Sequence, residues 1–97
     1  MRIISRRSLR EHWEARPDSE GPLKAWFAEA KKACWTTPAD VKANYGSASI
    51  LKNGHVVFNI GGNKYRLVVR INYRYQTVYI RFVGTHEEYD EMDAEII

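Results

Sequence analysis

Two runs of alternating side chains in the second half of the sequence constrain the fold more than any other feature. Residues 64–71 and 77–83 are rich in valine, isoleucine, tyrosine and phenylalanine, which favour strands. Successive side chains of a strand leave opposite faces of a sheet. The first run therefore has an apolar face, formed by Tyr65, Leu67, Val69 and Ile71. Its other face is mainly cationic and carries Lys64, Arg66, Val68 and Arg70.

The second run shows the same division. Strict alternation predicts two sets of side chains on opposite sides, Val78, Ile80 and Phe82 against Tyr79, Arg81 and Val83. The apolar side can pack against helices, and a cationic side would attract a polyanion. Whether Arg81 lies on the same face as Arg66 depends on the pairing register, which a sequence does not determine.

Three helix starts precede these strands. Ser5 is placed to cap a helix that ends before Pro17, and Pro22 lies in the first turn of a second helix. That second helix has an apolar stripe at spacings of three and four residues, comprising Leu23, Trp26, Phe27, Ala30 and Cys34. Thr37, followed by Pro38 and Asp40, predicts the start of a third helix.

The order of these elements predicts the fold class. Arg2–Ile4 reads as a short strand, and Asn53-Gly54 is typical of a two-residue hairpin turn before a strand at residues 55–60. Helices followed by an antiparallel meander indicate an α+β fold, with the N-terminal helices on one face of a small antiparallel sheet. The acidic segment at residues 87–97 is compatible with either a short helix or an edge strand.

Length and composition limit the kind of protein. With 97 residues, we expect one domain spanning residues 1–97. The sequence has no apolar run of the roughly 20 residues that a membrane helix needs, and it has no secretory signal. We therefore expect a soluble cytoplasmic protein that does not associate with a membrane. Cys34 is the single cysteine, and it is expected to be a small core residue.

The charge is unevenly distributed along the chain. Residues 1–83 hold fifteen Lys and Arg against six Asp and Glu, a formal charge of +9, whereas residues 84–97 hold six acidic residues and no Lys or Arg. A basic body of this kind attracts nucleic acid or another acidic surface. A basic solvated surface with an acidic tail is the simpler alternative.

Candidate functional residues cluster in and around the strands. Arg66 is the foremost, because a guanidinium can form two parallel hydrogen bonds with a phosphate, although a structural salt bridge is its alternative role. Further candidate RNA contacts are Lys64, Arg70, Arg81, Lys52 and Asn59. His86 follows the last strand and can exchange a proton near neutral pH. If the segment after it is helical, Tyr89 and Asp90 meet His86 on one helix face.

Several kinds of chemistry lack their sequence signature. The sequence contains no P-loop, dinucleotide-binding fingerprint, nucleophile elbow or metal-ligand cluster, so we expect neither a cofactor nor a metal. A basic face with a histidine suits cleavage of an RNA phosphodiester, in which the 2′-hydroxyl is the nucleophile. A non-catalytic basic RNA- or DNA-binding domain and a module that binds an acidic protein partner remain alternatives.

The sequence resembles the HigB group of the RelE-like bacterial toxins. The resemblance is carried by residues 62–71, Gly-Asn-Lys-Tyr-Arg-Leu-Val-Val-Arg-Ile, and by residues 82–90, Phe-Val-Gly-Thr-His-Glu-Glu-Tyr-Asp, and it extends from Ile3 to Asp90. It implies a microbial RNase-like fold, with helices on one face of the sheet and the active site on the other. It also implies an endoribonuclease that cuts mRNA on the translating ribosome and is neutralised by a HigA-type helix-turn-helix antitoxin.

The resemblance also implies roles for individual residues. Arg66 falls on the strand arginine that RelE-like toxins use for the scissile phosphate, and Tyr89 or Asp90 falls near their C-terminal catalytic tyrosine. His86 falls where relatives place a basic residue, although Thr85-His86 stands where RelE has a Lys-Arg pair. We therefore expect His86 to protonate the leaving 5′-oxygen, oriented by Tyr89 or Asp90. Arg66 and His86 are expected to meet on one open surface.

Overall fold

The computed structural model describes residues 1–94 and residue 97, in four helices and five strands. In chain order the elements are β1 (Arg2–Ile4), α1 (Arg6–Ala15), a 3₁₀ turn (Pro17–Ser19), α2 (Glu20–Lys32), α3 (Pro38–Asn44), β2 (Ser49–Ile50), a second 3₁₀ turn (Lys52–Gly54), β3 (His55–Ile60), β4 (Tyr65–Asn72), β5 (Thr77–Thr85) and α4 (His86–Asp90). None of the helices in this part of the chain combines the length and the hydrophobicity that a transmembrane span requires.

The five strands form one mixed sheet in the order β1-β5-β4-β3-β2. The strands β2 to β5 pair with antiparallel neighbours, as the sequence predicted, and β1 adds a parallel strand beside β5. The α+β class is therefore confirmed. The hairpin between β2 and β3 closes through the three-residue 3₁₀ turn rather than two residues, with positive φ at Asn53 and Gly54.

The main core lies between the helices and one face of the sheet. The alternating residues of β4 that were predicted to be apolar are all buried there, at 0–4% exposure: Tyr65, Leu67, Val69 and Ile71. Leu23, Trp26 and Ala30 pack against them from α2, and the Trp26 ring meets Phe58 of β3 at 5.4 Å between centroids. Removing one such buried leucine typically costs about 2–5 kcal/mol, so this layer fixes how the helices sit on the sheet.

Local capping explains where α3 begins. The Thr37 hydroxyl accepts a hydrogen bond from the Asp40 backbone N–H, and the Asp40 carboxylate accepts one from the Thr37 N–H. This reciprocal capping box confirms the predicted helix start. Cys34, by contrast, is exposed, and its assignment to the core was wrong. Since α2 ends at Lys32, Cys34 lies beyond the helix, where the helical spacing no longer applies.

A β-bulge in β5 corrects the predicted faces of that strand. Val68 of β4 pairs with Phe82, but Val69 pairs with Ile80, so Arg81 is an extra residue. The extra residue changes the phase of the alternation. Val83 consequently packs against the main core, and Phe82 moves to the opposite face of the sheet. The assignment of Phe82 to the core side and of Val83 to the other side was therefore wrong.

The sheet face away from the main core, here called the outer face, has three rows of cross-strand neighbours. The first is Asn59, Arg66 and Gly84; the second is Val57, Val68 and Phe82; the third is His55, Arg70 and Tyr79. Residues of the C-terminal segment cover the middle row, since Ala94 is buried against Val57 and Val68. The expectation of one open surface shared by the candidate cations was therefore wrong, because an apolar cluster divides the outer face into an end at Arg66 and an end at Arg70.

The C-terminal segment begins as a helix. The sequence left either a short helix or an edge strand open for residues 87–97, and the structure shows the short helix α4 at the start of this segment. Glu95 and Ile96 lie outside the described residues. Both ring nitrogens of buried His55 are within hydrogen-bonding distance of a carbonyl oxygen, Nδ1 at 3.0 Å from Lys52 and Nε2 at 2.9 Å from Ile97. The described parts of this segment, residues 86–94 and residue 97, thus lie along the outer face between the Arg66 row and the Arg70 row.

Candidate active site

Arg66 lies at the centre of the first row of the outer face. It pairs in register with Asn59 on β3 and with Gly84 on β5, so its direct neighbours are an amide and a residue without a side chain. Its Nη1 donates to the backbone oxygens of Asn63 at 3.0 Å and Tyr65 at 3.2 Å. No carboxylate of the described residues forms an ion pair with Arg66. Its Nε and Nη2 therefore retain donors for an anion.

His86 begins the helix that follows this row. The Thr85 hydroxyl accepts from the Glu88 N–H at 3.1 Å, and the Glu88 carboxylate accepts from the Thr85 N–H at 2.7 Å, forming a second capping box. The His86 N–H donates to the Lys64 carbonyl at 3.2 Å. Since α4 contacts both β4 and β5, these bonds hold His86 at the same end of the outer face as Arg66.

The side chains of α4 divide between solvent and sheet. His86 Nδ1 lies 3.9 Å from a carboxylate oxygen of Asp90, one turn on, and Nε2 lies 3.7 Å from one of Glu87. The predicted proximity of His86 and Asp90 is therefore present. Tyr89 instead packs against the apolar cluster around Val68, so it anchors α4 to the outer face of the sheet. His86 does not hydrogen-bond to Arg66, and its side chain is 46% exposed.

Gly84 permits the close approach of α4 to the sheet. A Cβ at this position would lie 2.6 Å from Cζ of Phe82 and 2.8 Å from a carboxylate oxygen of Glu88. An added side chain would therefore force the Phe82 ring and the capping carboxylate of Glu88 to shift. Hydrogen bonds from Thr85, together with the nearby cation of Arg16, hold the pKa of Glu88 below its usual value.

Lys64 does not share the outer face with Arg66, contrary to the prediction from alternation. It precedes β4, and its ammonium forms an ion pair with Asp18 of the first 3₁₀ turn. Asp18 also accepts from the hydroxyl of Tyr65 at 2.5 Å, on the helical side of the sheet. The hydrogen bonds from Lys64 and Tyr65 lower the pKa of Asp18, and the hydrogen bond to Asp18 and its charge raise the pKa of Lys64, as expected for an ion pair.

The other predicted phosphate contacts lie at the far end of the outer face. Arg70 Nε donates to the Asn53 carbonyl at 3.2 Å, Arg81 is the bulged residue nearby, and Lys52 is exposed in the adjoining turn. Arg70 and Arg81 line one groove of about 550 Å³ together with Arg74 and Tyr79, which the sequence reasoning did not select. Register pairs Arg70 with Tyr79, the bulge adds Arg81, and the turn between β4 and β5 adds Arg74.

Metal-ligating side chains are not clustered in the part of the chain that the structure describes. Within residues 1–94 and 97, no three side chains of His, Cys, Asp or Glu are grouped closely enough to hold a metal ion. The groups assembled around Arg66 are a guanidinium, an amide, an imidazole and a carboxylate. They can bind an anion and exchange a proton.

Comparison with known proteins identifies the class. Residues 19–92 match the family model HigB_toxin, described as the RelE-like toxic component of a toxin–antitoxin system. The fold, with helices on one face of the sheet and an arginine on the other, is that of a RelE-like toxin, as the sequence resemblance implied.

Named relatives identify the family within this class. The chain is 35% identical to the mRNA interferase toxin HigB of Escherichia coli K12 over 97% of this chain and 92% of that protein. The same values hold for mRNA interferase HigB of Shigella flexneri. A mRNA interferase HigB of Escherichia coli O6:H1 is 24% identical over 95% of this chain and 91% of its own length. The chain belongs to the HigB toxin family.

Proposed function

We propose that this chain is an mRNA interferase, a toxin that cleaves mRNA on the ribosome and thereby stops translation. The names of its relatives support the reaction class. The observation that carries the proposal is the position of Arg66, whose guanidinium has unused donors on the outer face beside the helix that begins with His86. In this proposal residues 1–97 act as one toxin domain, in the cytoplasm, where mRNA is translated.

Arg66 binds the scissile phosphate in this scheme. With Nη1 held by two backbone carbonyls, Nε and Nη2 are directed as a fork that matches two non-bridging phosphate oxygens. The negative charge on these oxygens grows as the 2′-oxygen attacks phosphorus. A positioned donor for such developing charge is typically worth about 10²–10³ in rate. Asn59, the cross-strand neighbour of Arg66, is placed to contact the same nucleotide.

His86 donates the proton that the leaving group needs. The 2′-hydroxyl gives up its proton to solvent water, and its oxygen attacks phosphorus and breaks the bond from phosphorus to the 5′-oxygen, giving a 2′,3′-cyclic phosphate and a 5′-hydroxyl. His86 protonates that 5′-oxygen, and Asp90, 3.9 Å from Nδ1, orients the imidazole. Tyr89 contributes by holding α4 on the apolar cluster.

The proposed dependence on the ribosome is supported by the lack of direct contact between Arg66 and His86. His86 and Arg66 do not contact each other, and the His86 side chain is half exposed. Isolated mRNA is flexible, so this site alone does not align its 2′-hydroxyl with the 5′-oxygen. An mRNA held by the ribosome supplies that alignment. A HigA-type antitoxin would neutralise the toxin by keeping the mRNA from Arg66 and His86.

Expression of the chain without an antitoxin tests the proposal. We expect growth arrest, with new mRNA 5′ ends at fixed positions within codons, and cleavage by the purified protein only when ribosomes are present. Arg66→Ala and His86→Ala should each abolish cleavage while leaving the fold and antitoxin binding intact. Lys64→Ala is the matched control, because Lys64 is the neighbouring cation that is paired with Asp18.

The outcomes separate the proposal from its alternatives. Equal losses in Arg66→Ala and Lys64→Ala would contradict the assignment of Arg66 to the scissile phosphate. Undiminished cleavage by His86→Ala would remove His86 from the mechanism. Growth arrest that depends on Arg66 but leaves mRNA uncut would favour a non-catalytic nucleic-acid-binding domain. Arrest without RNA binding would favour a module for an acidic protein.

A further inference from the structure

We infer that the groove at the Arg70 end of the outer face is a second RNA-binding site, which holds a single-stranded segment away from the cleaved linkage. The inference deepens the proposed function and rests on it for the identity of the polyanion. The groove has a volume of about 550 Å³ and is lined by three arginines, Arg70, Arg74 and Arg81, and by Tyr79. No Asp or Glu is among its described lining residues.

The bulge in β5 builds this groove. Because Arg81 is the extra residue, it lies between the third row, where Tyr79 pairs with Arg70, and the apolar row that contains Phe82. Its guanidinium carbon lies 5.7 Å from the centroid of the Tyr79 ring. All three arginines are exposed, and none forms an ion pair with a described carboxylate. Three adjacent guanidinium groups without a neutralising acid favour a polyanion.

The groove is separate from the site at Arg66. Arg66 and Arg70 are four residues apart in one strand, which corresponds to about 13 Å between their Cα atoms. Their guanidinium groups are held in opposite directions, Arg66 by the carbonyls of Asn63 and Tyr65 and Arg70 by that of Asn53. The covered apolar row lies between them. One phosphate therefore does not contact both, and an RNA bound at both ends spans several nucleotides.

Tyr79 favours single-stranded RNA over an acidic protein as the occupant. The ring is half-buried on the sheet with the guanidinium of Arg81 over it, and bases of single-stranded RNA stack both on aromatic rings and on guanidinium planes. Single-stranded nucleic acids are typically bound by cations that follow the backbone together with aromatic rings that stack with bases. An acidic peptide could form ion pairs with the arginines, but it has no nucleobase that could stack on Tyr79.

Equilibrium binding of a 2′-O-methylated, unstructured RNA to the full chain tests the inference, since that RNA cannot be cut by 2′-hydroxyl attack. The groove variant carries Arg70→Gln, Arg74→Gln and Arg81→Gln. The matched control carries Arg6→Gln, Arg7→Gln and Arg10→Gln, which removes the same charge from the exposed side of α1. Thermal unfolding checks that both variants are folded. Tyr79→Leu tests stacking without changing the charge.

The groove variant should bind RNA at least about tenfold more weakly than the unaltered protein, and the control should bind within about twofold of it. The slope of log K against log salt should become shallower by about 2 in the groove variant, at about 0.7 for each phosphate contact that is lost. Tyr79→Leu should weaken binding by about tenfold with an unchanged slope. Equal losses in the groove and control variants would overturn the inference, because net charge alone would explain them.

Two further results overturn the inference in distinguishable ways. If Arg66→Ala abolishes ribosome-dependent cleavage but the groove variant binds RNA normally, the nuclease proposal is supported and the assignment of the groove as an RNA-binding site is refuted. If polyglutamate displaces the RNA better than unlabelled RNA does, the groove serves an acidic protein instead. Conversely, RNA binding that depends on the groove, in a protein that cuts no mRNA, would support the groove and refute the nuclease.

Discussion

Replacing Gly54 with alanine tests whether the close contact between the turn at Lys52–Gly54 and β4 requires a residue without a side chain. Gly54 has a φ of +78°, and an added Cβ would lie 2.7 Å from the backbone oxygen of Ile71. A left-handed conformation costs a residue with a side chain about 1–2 kcal/mol. The Ile71 oxygen belongs to a strand and cannot move aside like a flexible side chain, so the overlap adds about 1–3 kcal/mol. The expected loss is about 2–5 kcal/mol of the roughly 5–15 kcal/mol that stabilises a domain of this size.

Gly62 provides a matched control. It has a φ of +70°, but nothing lies within 4 Å of an added Cβ, so Gly62→Ala introduces the backbone strain without the overlap. Urea denaturation followed by circular dichroism should give a free energy of unfolding about 1–3 kcal/mol lower for Gly54→Ala than for Gly62→Ala. The melting temperature should differ by at least about 4 °C. Equal destabilisation of the two variants would refute the contact with Ile71 as the cause.

Two further predictions concern the ends of α1 and α4. Thr85→Ala removes the hydroxyl that caps α4, so we expect the free energy of unfolding to fall by about 1 kcal/mol. Because α4 carries His86, mRNA cleavage should also become slower. Thr85→Ser should restore both the stability and the cleavage rate. Cleavage at the normal rate would show that the cap does not position His86. Burial and the nearby Arg16 cation lower the pKa of His12 below 6.5. The unfolded chain then binds more protons than the folded chain, so the free energy of unfolding should fall as the pH drops below 6.5 and through the folded pKa. His12→Gln should reduce that fall in pH-dependent denaturation, and an unchanged profile would contradict this reasoning.

Local signals in the sequence predicted the parts of the fold that depend on local chemistry. The capping box at Thr37 and the apolar face of β4 required only hydrogen-bonding capacity and alternation. The bulge could not be predicted in this way. Phe82 and Val83 are both apolar, so either phase of the alternation satisfies a core, and only pairing with β4 decides which one enters it.

Long-range contacts determined the remaining differences at the site. The position of Lys64 depends on Asp18, 46 residues earlier in the chain, and alternation stops being informative where the strand begins at Tyr65. Ala94 lies in an acidic segment whose composition indicates solvent, yet it is buried at 5% exposure against Val57 and Val68. Tyr79 shares a groove with Arg70 only through register, which no local signal specifies.

The division of the outer face has an electrostatic consequence for how an RNA would be held. Three carboxylates of α4, those of Glu87, Glu88 and Asp90, lie on the helix that begins at His86 and reduce the attraction of the Arg66 end for phosphate. At physiological salt, charges on an exposed surface are largely screened beyond about 8 Å. The groove at Arg70 lies about 13 Å along the strand from Arg66, and no Asp or Glu is among its described lining residues. In the proposed nuclease, RNA affinity then comes mainly from the groove and the ribosome, and Arg66 contributes chiefly to the charge that develops during cleavage.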